Sequence, residues 1–301
     1  MSAVRGFVDG LVAGRVDGAG REWYARACAE IGAGVTDARF AGLIAIASRR
    51  APRRALAPAA GELERAAELC EGWNPERWSV LEAVRCGLVL ARPDLPADSG
   101  AAAIEEAFRF ADVGELCALY RSLALLPGPA RFAWRAGEGC RSNMTAVFEA
   151  AACDTPFPLR HFDDVAWRQL VLKAIFVEAP LWRVFGLDGR LSEELARMAL
   201  DLADERRSAG RAVQHGLWLC LGAQGGERAR ASIERELAGS HTLGRRAAAY
   251  ALARAGSAAR LRELAAGESD PAVAAAMRDA LAGNTTQAAF RGLDPTLETM
   301  S

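Results

Sequence analysis

Residues 168–177 read RQLVLKAIFV, an apolar segment interrupted by Gln169 and by Lys173. Its apolar residues recur at intervals of three and four, the spacing of one helical turn, and the same spacing recurs throughout the chain. No stretch alternates apolar and polar residues over four or more positions, as a half-buried strand would. The sequence therefore predicts an all-α protein.

The ends of the helices are marked by capping residues and glycines. Asn74, Asp163, Ser192 and Asp270 each stand before a helical pattern and offer a side-chain oxygen to its free N–H groups. Glycines are expected to end helices at Gly61, Gly72, Gly210, Gly239, Gly256, Gly267 and Gly283. Short helices joined by short loops predict antiparallel helix pairs that form an irregular α-α superhelix.

Four regions are predicted along the chain. Residues 1–130 form an N-terminal helical region, and residues 131–213 form the central helices. Residues 214–283 are predicted to be HEAT-like, because short alanine-rich helical patterns alternate there with turn residues. Residues 284–301 lack periodicity and are predicted to be a flexible tail.

Composition narrows the classes of function. With 37 Lys+Arg against 38 Asp+Glu, the chain lacks the excess positive charge that attracts nucleic acid or anionic membranes, so neither is an expected partner. The seven cysteines contain no C-x-x-C spacing, which is typical of buried thiols in a reducing compartment. No apolar window approaches 18 residues, so we expect a cytoplasmic protein that is not an integral membrane protein.

Cofactors and metals are not expected. The chain contains none of the glycine-rich motifs that bind nucleotides and no serine-nucleophile motif. Asp201 and Glu205 share a helix face, but none of the three histidines has the spacing of a zinc site. The two carboxylates are explained more simply as part of a solvated i, i+4 charge ladder that begins at Arg197.

Lys173 is the one lysine among the 37 basic residues. Arginine replaces an exposed lysine at little cost, so a retained lysine indicates a site that a planar guanidinium does not fit. The surrounding helix is apolar nearly all round and is predicted to run through the core. A buried ammonium there needs a carboxylate, such as Glu149 or Glu178, or a ligand, unless the side chain extends to a nearby surface.

A helix predicted over CRSNMTAVFEAA (140–151) places Glu149 beside its apolar face. If Lys173 is functional rather than structural, we expect it to lie in a polar pocket with residues of this segment. The predicted pocket contains Arg141, Asn143, Glu149, Gln169 and Lys173.

The same residues carry a family resemblance. The segments GCRSNMTAVFEAAACDTPFP, HFDDVAWRQLVLKAIF, GLDGRLSEELARMALDLADERRSAGR and GLWLCLG resemble the EboA family of metabolite-traffic proteins, densely over 131–222 and more loosely over 20–130. The residues that fit the family pattern are Arg141, Asn143, Met144, Phe148, Glu149, Trp167, Gln169, Lys173, Asp188, Glu205, Arg206 and Arg211. Ser142, Asp154-Thr155 and Arg168 depart from it.

The resemblance implies a cytoplasmic accessory protein of secondary metabolism, encoded within a biosynthetic gene cluster. The partners that it implies are prenyltransferase-like and sugar-phosphate-cyclase-like enzymes, together with TIM-barrel and phosphatase-like proteins. It does not imply a known reaction.

Three functions are consistent with the sequence. The first is a non-catalytic helical module that binds a small polar or prenylated metabolite, or the enzymes making it, around Lys173. The second is an enzyme in which Lys173 acts as a Schiff-base nucleophile or general base with Glu149, while Arg141 or Arg211 holds an anionic substrate. The third is a protein-interaction scaffold in which Lys173 is structural.

The predicted contact between Glu149 and Lys173 can be tested with a double-mutant cycle. Removing one partner of a buried ion pair costs about 3–5 kcal/mol, whereas an exposed pair contributes about 0–1 kcal/mol. We therefore expect Glu149→Ala and Lys173→Ala to lower the melting temperature non-additively. Two single variants with unchanged melting temperatures and an additive double variant would show that the pair does not exist.

Overall fold

The computed structural model describes residues 2–294. Within that range all regular structure is helical, with sixteen α-helices and nine 3₁₀ helices. The one extended pairing in the described range is an isolated bridge between Ala55 and Ser79. The all-α prediction is therefore confirmed. Part of the predicted flexible tail, residues 295–301, lies outside the described residues.

The chain divides into two compact units, residues 1–166 and 167–301. The helices that begin in the first unit are α1 (Ser2–Ala13), α2 (Gly18–Gly32), α3 (Asp37–Ile46), α4 (Ala60–Leu69), α5 (Val80–Leu90), α6 (Asp98–Arg109), α7 (Val113–Ser122), α8 (Ala133–Arg141), α9 (Thr145–Ala152), α10 (Phe157–His161) and α11 (Asp164–Phe176). Helix α11 continues into the second unit. The four regions predicted from the sequence stay predictions.

Helix α5 is the central helix of the first unit. It packs against α1, α2, α3 and α7, and all of its residues except Glu82 are buried. A Cβ atom at Gly87 would lie 1.8 Å from the hydroxyl oxygen of Tyr24. Gly87 therefore makes room for Tyr24, whose hydroxyl donates a 2.5 Å hydrogen bond to Asp9.

The charged side chains of α5 are paired inside the unit. Arg85 is 2% exposed, and its Nε donates to the carbonyl of Ile44 at 3.1 Å. Glu82 accepts from the backbone N–H of Ser79 at 2.7 Å and from Nε of Arg121 at 2.8 Å. A charge is tolerated in a buried helix only where such partners replace water.

The second unit is organised around an alanine-rich helix. Its α-helices after α11 are α12 (Glu193–Ser208), α13 (Gly226–Leu237), α14 (Thr242–Arg254), α15 (Ala258–Ala265) and α16 (Pro271–Leu281). Its 3₁₀ helices are Leu181–Arg183, Asp188–Arg190, His215–Cys220, Gly222–Gly225 and Gln287–Leu293. Helix α14 packs against α13, α15, α16 and three of these 3₁₀ helices, His215–Cys220, Gly222–Gly225 and Gln287–Leu293. The HEAT-like description of this region stays a prediction.

The predicted capping residues are confirmed. Asn74, Asp163, Ser192 and Asp270 each accept a hydrogen bond from a backbone N–H two or three residues later. The prediction that Gly61 ends a helix is wrong, because Gly61 lies in the first turn of α4. A glycine alone does not indicate which end of a helix it marks, because glycine is found near both ends.

Helices α11 and α12 end in the same way, in a Schellman motif. At α12, Gly210 has φ 67°, and the N–H of Arg211 donates to the carbonyl of Arg206 at 2.8 Å. At α11 the equivalent left-handed position is Glu178, with φ 58°, and the N–H of Ala179 donates to the carbonyl of Ala174 at 2.9 Å. A side chain at such a position costs conformational energy that glycine avoids.

The two helix ends predict opposite responses to substitution. Glu178→Gly should raise the free energy of unfolding by up to about 1 kcal/mol, because it removes the left-handed penalty. Gly210→Ala should lower the free energy of unfolding by about 1–2 kcal/mol for the converse reason. Urea denaturation of the three proteins checks both signs, and a loss of stability in Glu178→Gly would show that its side chain contributes more than its backbone costs.

Candidate functional site

Arg141 and Asn143 lie where α8 passes into α9. A Cβ at Gly139 would come within 2.7 Å of both Ala151 and Tyr120, so this glycine lets α8 approach its neighbours closely. Arg141 ends α8 and is exposed, and its Nε donates to Glu138 at 3.0 Å. Asn143 is exposed as well. Both predicted site residues are therefore accessible from solvent.

Glu149 occupies a half-buried position on α9. Its neighbours Phe148 and Ala150 are fully buried, so the carboxylate stands at the edge of the apolar face, as the sequence predicted. Glu149 belongs to the first unit and Lys173 to the second. The ion pair between Glu149 and Lys173 stays a prediction.

The turn after α9 has a left-handed residue. Asp154 has φ 58°, and its carbonyl accepts from the N–H of Asn74 at 3.0 Å. Thr155 accepts from the N–H of Phe157 at 3.3 Å. Asn and Asp are the non-glycine residues that best tolerate left-handed backbone, so an aspartate suits this position.

Helix α11 is buried on one side and exposed on the other. The side chains of its buried face are Trp167, Leu170, Val171, Ala174 and Ile175. Val165 is 56% exposed and Phe176 is 68% exposed. The prediction that this helix runs through the core is therefore wrong for Val165 and Phe176, which are exposed. Periodicity alone cannot distinguish an apolar surface from a buried one.

Lys173 is half-buried on α11, and its ammonium nitrogen lies 4.9 Å from the centroid of the Phe176 ring. This is the geometry of a cation–π contact. Gln169, one turn earlier, is exposed. The helix thus presents an amide, an ammonium and an exposed aromatic ring together, which we call the α11 face (Gln169, Lys173 and Phe176).

Two further features of Trp167 were not predicted from the sequence. The guanidinium of Arg190 lies 5.0 Å from the Trp167 ring centroid. The indole N–H of Trp167 is buried and has no hydrogen-bond partner among residues 2–294. Arg190 therefore forms a cation–π contact with Trp167. Nothing in the sequence pattern points to Arg190.

Asp188 links three separate parts of the second unit. Its carboxylate accepts from the guanidinium of Arg254 at 2.6 Å and from the N–H of Gln287 at 2.7 Å. The amide of Gln287 then donates to the carbonyls of Trp182 and Val184 at 2.7 Å and 2.9 Å. Asp188 therefore has a structural role in holding residues 181–190, α14 and the segment after α16 together.

Glu205 and Arg206 lie in the last turn of α12, and Arg211 follows the end of the helix. Arg206 contributes its carbonyl to the Schellman motif, and its Nε donates to the carbonyl of Ala212 at 2.7 Å. The side chain of Arg211 is exposed. The contacts of Arg206 therefore serve to end α12. The guanidinium of Arg211 is accessible, so Arg211 stays a candidate for binding an anion.

Asp201 participates in a surface charge network. It pairs with Arg197 and Arg228, each at 2.8 Å. Among residues 2–294, no three His, Cys, Asp or Glu side chains are grouped so that they could hold a metal ion. No helix in the described part of the chain is both long and apolar enough to cross a membrane.

The cysteines are core residues in this structure. All seven are free thiols, and all except Cys70 are buried. Burial raises the pKa of Cys86, Cys140 and Cys220 to about 12. Because the thiolate is the reactive form, these three thiols are unsuited to nucleophilic chemistry near neutral pH.

The comparison with protein families gives one match. A model described as metabolite traffic protein EboA matches residues 4–222. Neither the curated proteins nor the solved structures include a match to the chain. The matched range ends before Arg254 and Gln287, the two residues that hold Asp188 in place.

The structural role of Asp188 predicts a large loss of stability on substitution. The side chain of Arg254 is 6% exposed, so Asp188→Ala leaves a buried cation without its carboxylate and should lower the free energy of unfolding by about 2–3 kcal/mol. Asp201→Ala is the matched control, because its carboxylate pairs at the surface and should leave the denaturation midpoint almost unchanged. Equal effects of the two substitutions, measured by urea denaturation, would contradict the structural role.

Proposed function

The chain belongs to the EboA family of metabolite traffic proteins, and on that premise we propose that it binds a small polar or prenylated metabolite at the α11 face. The protein then serves as an accessory to the enzymes that make and use the metabolite. Prenyltransferase-like and sugar-phosphate-cyclase-like enzymes of the same biosynthetic cluster are the proposed partners. Membership of a traffic family favours binding and release over catalysis.

The observation that carries the proposal is the contact between Lys173 and Phe176. The ring is 68% exposed and the ammonium lies 4.9 Å from its centroid, so an apolar surface and a positive charge are presented side by side. A ligand with an isoprenoid chain and a polar or anionic head matches both features. The exposed amide of Gln169 can donate and accept hydrogen bonds at the polar end of such a ligand.

The same geometry favours a binding lysine over a nucleophilic lysine. The negative face of an aromatic ring attracts a cation, so the Phe176 ring stabilises the charged ammonium. A Schiff-base nucleophile reacts as the neutral amine. The contact with the ring therefore opposes the enzymatic alternative, in which Lys173 attacks a carbonyl with the help of Glu149.

Arg141, Asn143, Glu149 and Arg211 are proposed as further ligand-binding residues. Arg141, Asn143 and Arg211 are exposed and Glu149 is half-buried, so a ligand can reach them. Two guanidinium groups and a carboxylate would together recognise a head group that carries both negative charge and hydroxyl or amine donors. Their assignment rests on the family pattern and on accessibility.

Geranyl phosphate is a suitable probe for the α11 face, because it joins a short isoprenoid chain to an anion. Lys173→Met keeps the side-chain volume and deletes the charge, and it should weaken binding about tenfold or more through loss of a charge-assisted hydrogen bond. Phe176→Ala should weaken binding through the apolar part of the probe. Isothermal titration calorimetry measures both effects.

Controls separate a specific site from general attraction between charges. Arg197→Met removes an exposed cation from the charge network of α12 and should leave the affinity for geranyl phosphate unchanged. Inorganic phosphate and geraniol, each carrying half of the probe, should bind much more weakly than geranyl phosphate. Unchanged binding by Lys173→Met would refute the proposed site and would favour the scaffold function.

A further inference from the structure

A short segment of the first unit, RRAPRR at residues 49–54, concentrates positive charge. No aspartate or glutamate occurs between Asp37 and Glu62, whereas five arginines do. The four arginines of the segment, Arg49, Arg50, Arg53 and Arg54, are all exposed. The near-zero net charge of the whole chain is therefore compatible with a strongly basic surface at this segment.

These four guanidinium groups lack the carboxylate partners that arginines have elsewhere in this protein. None of them forms an ion pair within the part of the chain that the structure describes. Exposed arginines on other elements do form such pairs, for example Arg39 with Glu30 at 2.6 Å. Arg197 likewise pairs with Glu194 at 2.7 Å. The charge of the segment is therefore available to an anionic partner.

The backbone that carries these arginines is held in place along one side. The carbonyl of Arg54 accepts a hydrogen bond from the N–H of Val80 at 3.0 Å. The N–H of Leu56 donates to the carbonyl of Trp78 at 2.8 Å. Because the backbone is fixed, a partner that binds the segment has less conformational freedom to remove than it would on a mobile loop.

Ala55 lies between these two hydrogen bonds, opposite Ser79 in the antiparallel bridge. In a bridge of this kind the two facing residues do not bond to each other, so their own N–H and C=O groups point away from the partner segment. Ala55 is exposed, and neither its N–H nor its C=O has a hydrogen-bond partner within the described residues. The segment thus presents a backbone donor and a backbone acceptor beside its arginines.

We propose that residues 49–55, which we call the arginine edge, bind an acidic peptide segment of a partner protein in an extended conformation. The peptide backbone pairs with the N–H and C=O of Ala55, as a strand added to an exposed edge. The carboxylates of the peptide meet the guanidinium groups on either side. A phosphodiester of a lipid or a nucleic acid also attracts arginine, but it has no proton to donate to the carbonyl of Ala55. The backbone geometry therefore favours a peptide.

The arginine edge belongs to the first unit, whereas Lys173 and Phe176 belong to the second. It involves none of the residues that are proposed to bind a metabolite. The inference therefore goes beyond the proposed function, because it assigns a surface on which a partner protein docks. It does not depend on ligand binding at the α11 face.

Fluorescence anisotropy with a labelled octapeptide of alternating glutamate and threonine tests the proposal on the full chain. Threonine favours extended backbone, and glutamate supplies the carboxylates. The triple variant R49Q/R50Q/R53Q removes three exposed charges that have no internal partner, so it should fold normally. It should weaken binding of the peptide about tenfold, since each exposed charge pair contributes a small amount. The matched control, R235Q/R262Q/R278Q, removes the same charge from exposed arginines of the second unit and should keep the affinity of the parent protein.

A second peptide distinguishes backbone pairing from attraction between charges. N-methylation of its internal amides keeps every carboxylate and removes the N–H groups that donate to the carbonyl of Ala55. We expect the methylated peptide to bind about threefold more weakly, or less, at equal ionic strength. Lys173→Met should bind both peptides as the parent protein does, which keeps this test separate from that of geranyl phosphate.

Each of the following results would overturn the proposal. Undetectable binding of the acidic peptide, or equal affinities of the two triple variants, would show that the arginine edge does not bind such peptides. Equal affinities for the two peptides would show attraction between charges without backbone pairing. Tighter binding of an oligothymidylate, or of vesicles that contain phosphatidylglycerol, with loss of that binding in R49Q/R50Q/R53Q, would identify a phosphate-binding surface instead.

Discussion

A helix that is buried on all sides can carry a charged side chain only where the surrounding protein replaces water, and this constraint shapes both units. In the first unit, α5 carries Arg85 and Glu82, which bond to a backbone carbonyl, a capping serine and Arg121. In the second unit, α14 carries Arg254, whose guanidinium is held by Asp188. The partners of these charges come from other elements, so the position of each central helix determines the position of its neighbours.

This constraint explains the structural role of some residues that the sequence singled out. Asp188 is needed to pair Arg254, and the segment around Arg206 ends α12. Lys173 differs from Asp188 and Arg206. Its ammonium lies over the ring of Phe176, a residue of the same helix that is 68% exposed to solvent. A lysine whose role was only to stabilise the core would not require an exposed ring beside it. This contact is the reason why the proposed binding site is placed at the α11 face.

Metabolite traffic requires binding that is reversible, and half-buried sites meet this requirement. A ligand on the α11 face would keep part of its surface in water, which limits the apolar area that it buries and so limits its affinity. In contrast, the thiols of Cys86, Cys140 and Cys220 are buried, with pKa values raised to about 12. These three thiols are therefore unsuited to covalent chemistry near neutral pH.

The sequence by itself determined the helical class and the helix starts at Asn74, Asp163, Ser192 and Asp270. A helix and its cap depend on residues three or four positions apart. The sequence also indicated the family. It also identified Lys173 as a candidate, from its being the one lysine. Only the tertiary structure decided which apolar side chains of α11 are buried, since all of them fit the same helical period. It also revealed the network of Asp188, whose partners lie 66 and 99 residues further along the chain. Contacts over such separations depend on how helices pack, and no local pattern encodes that packing.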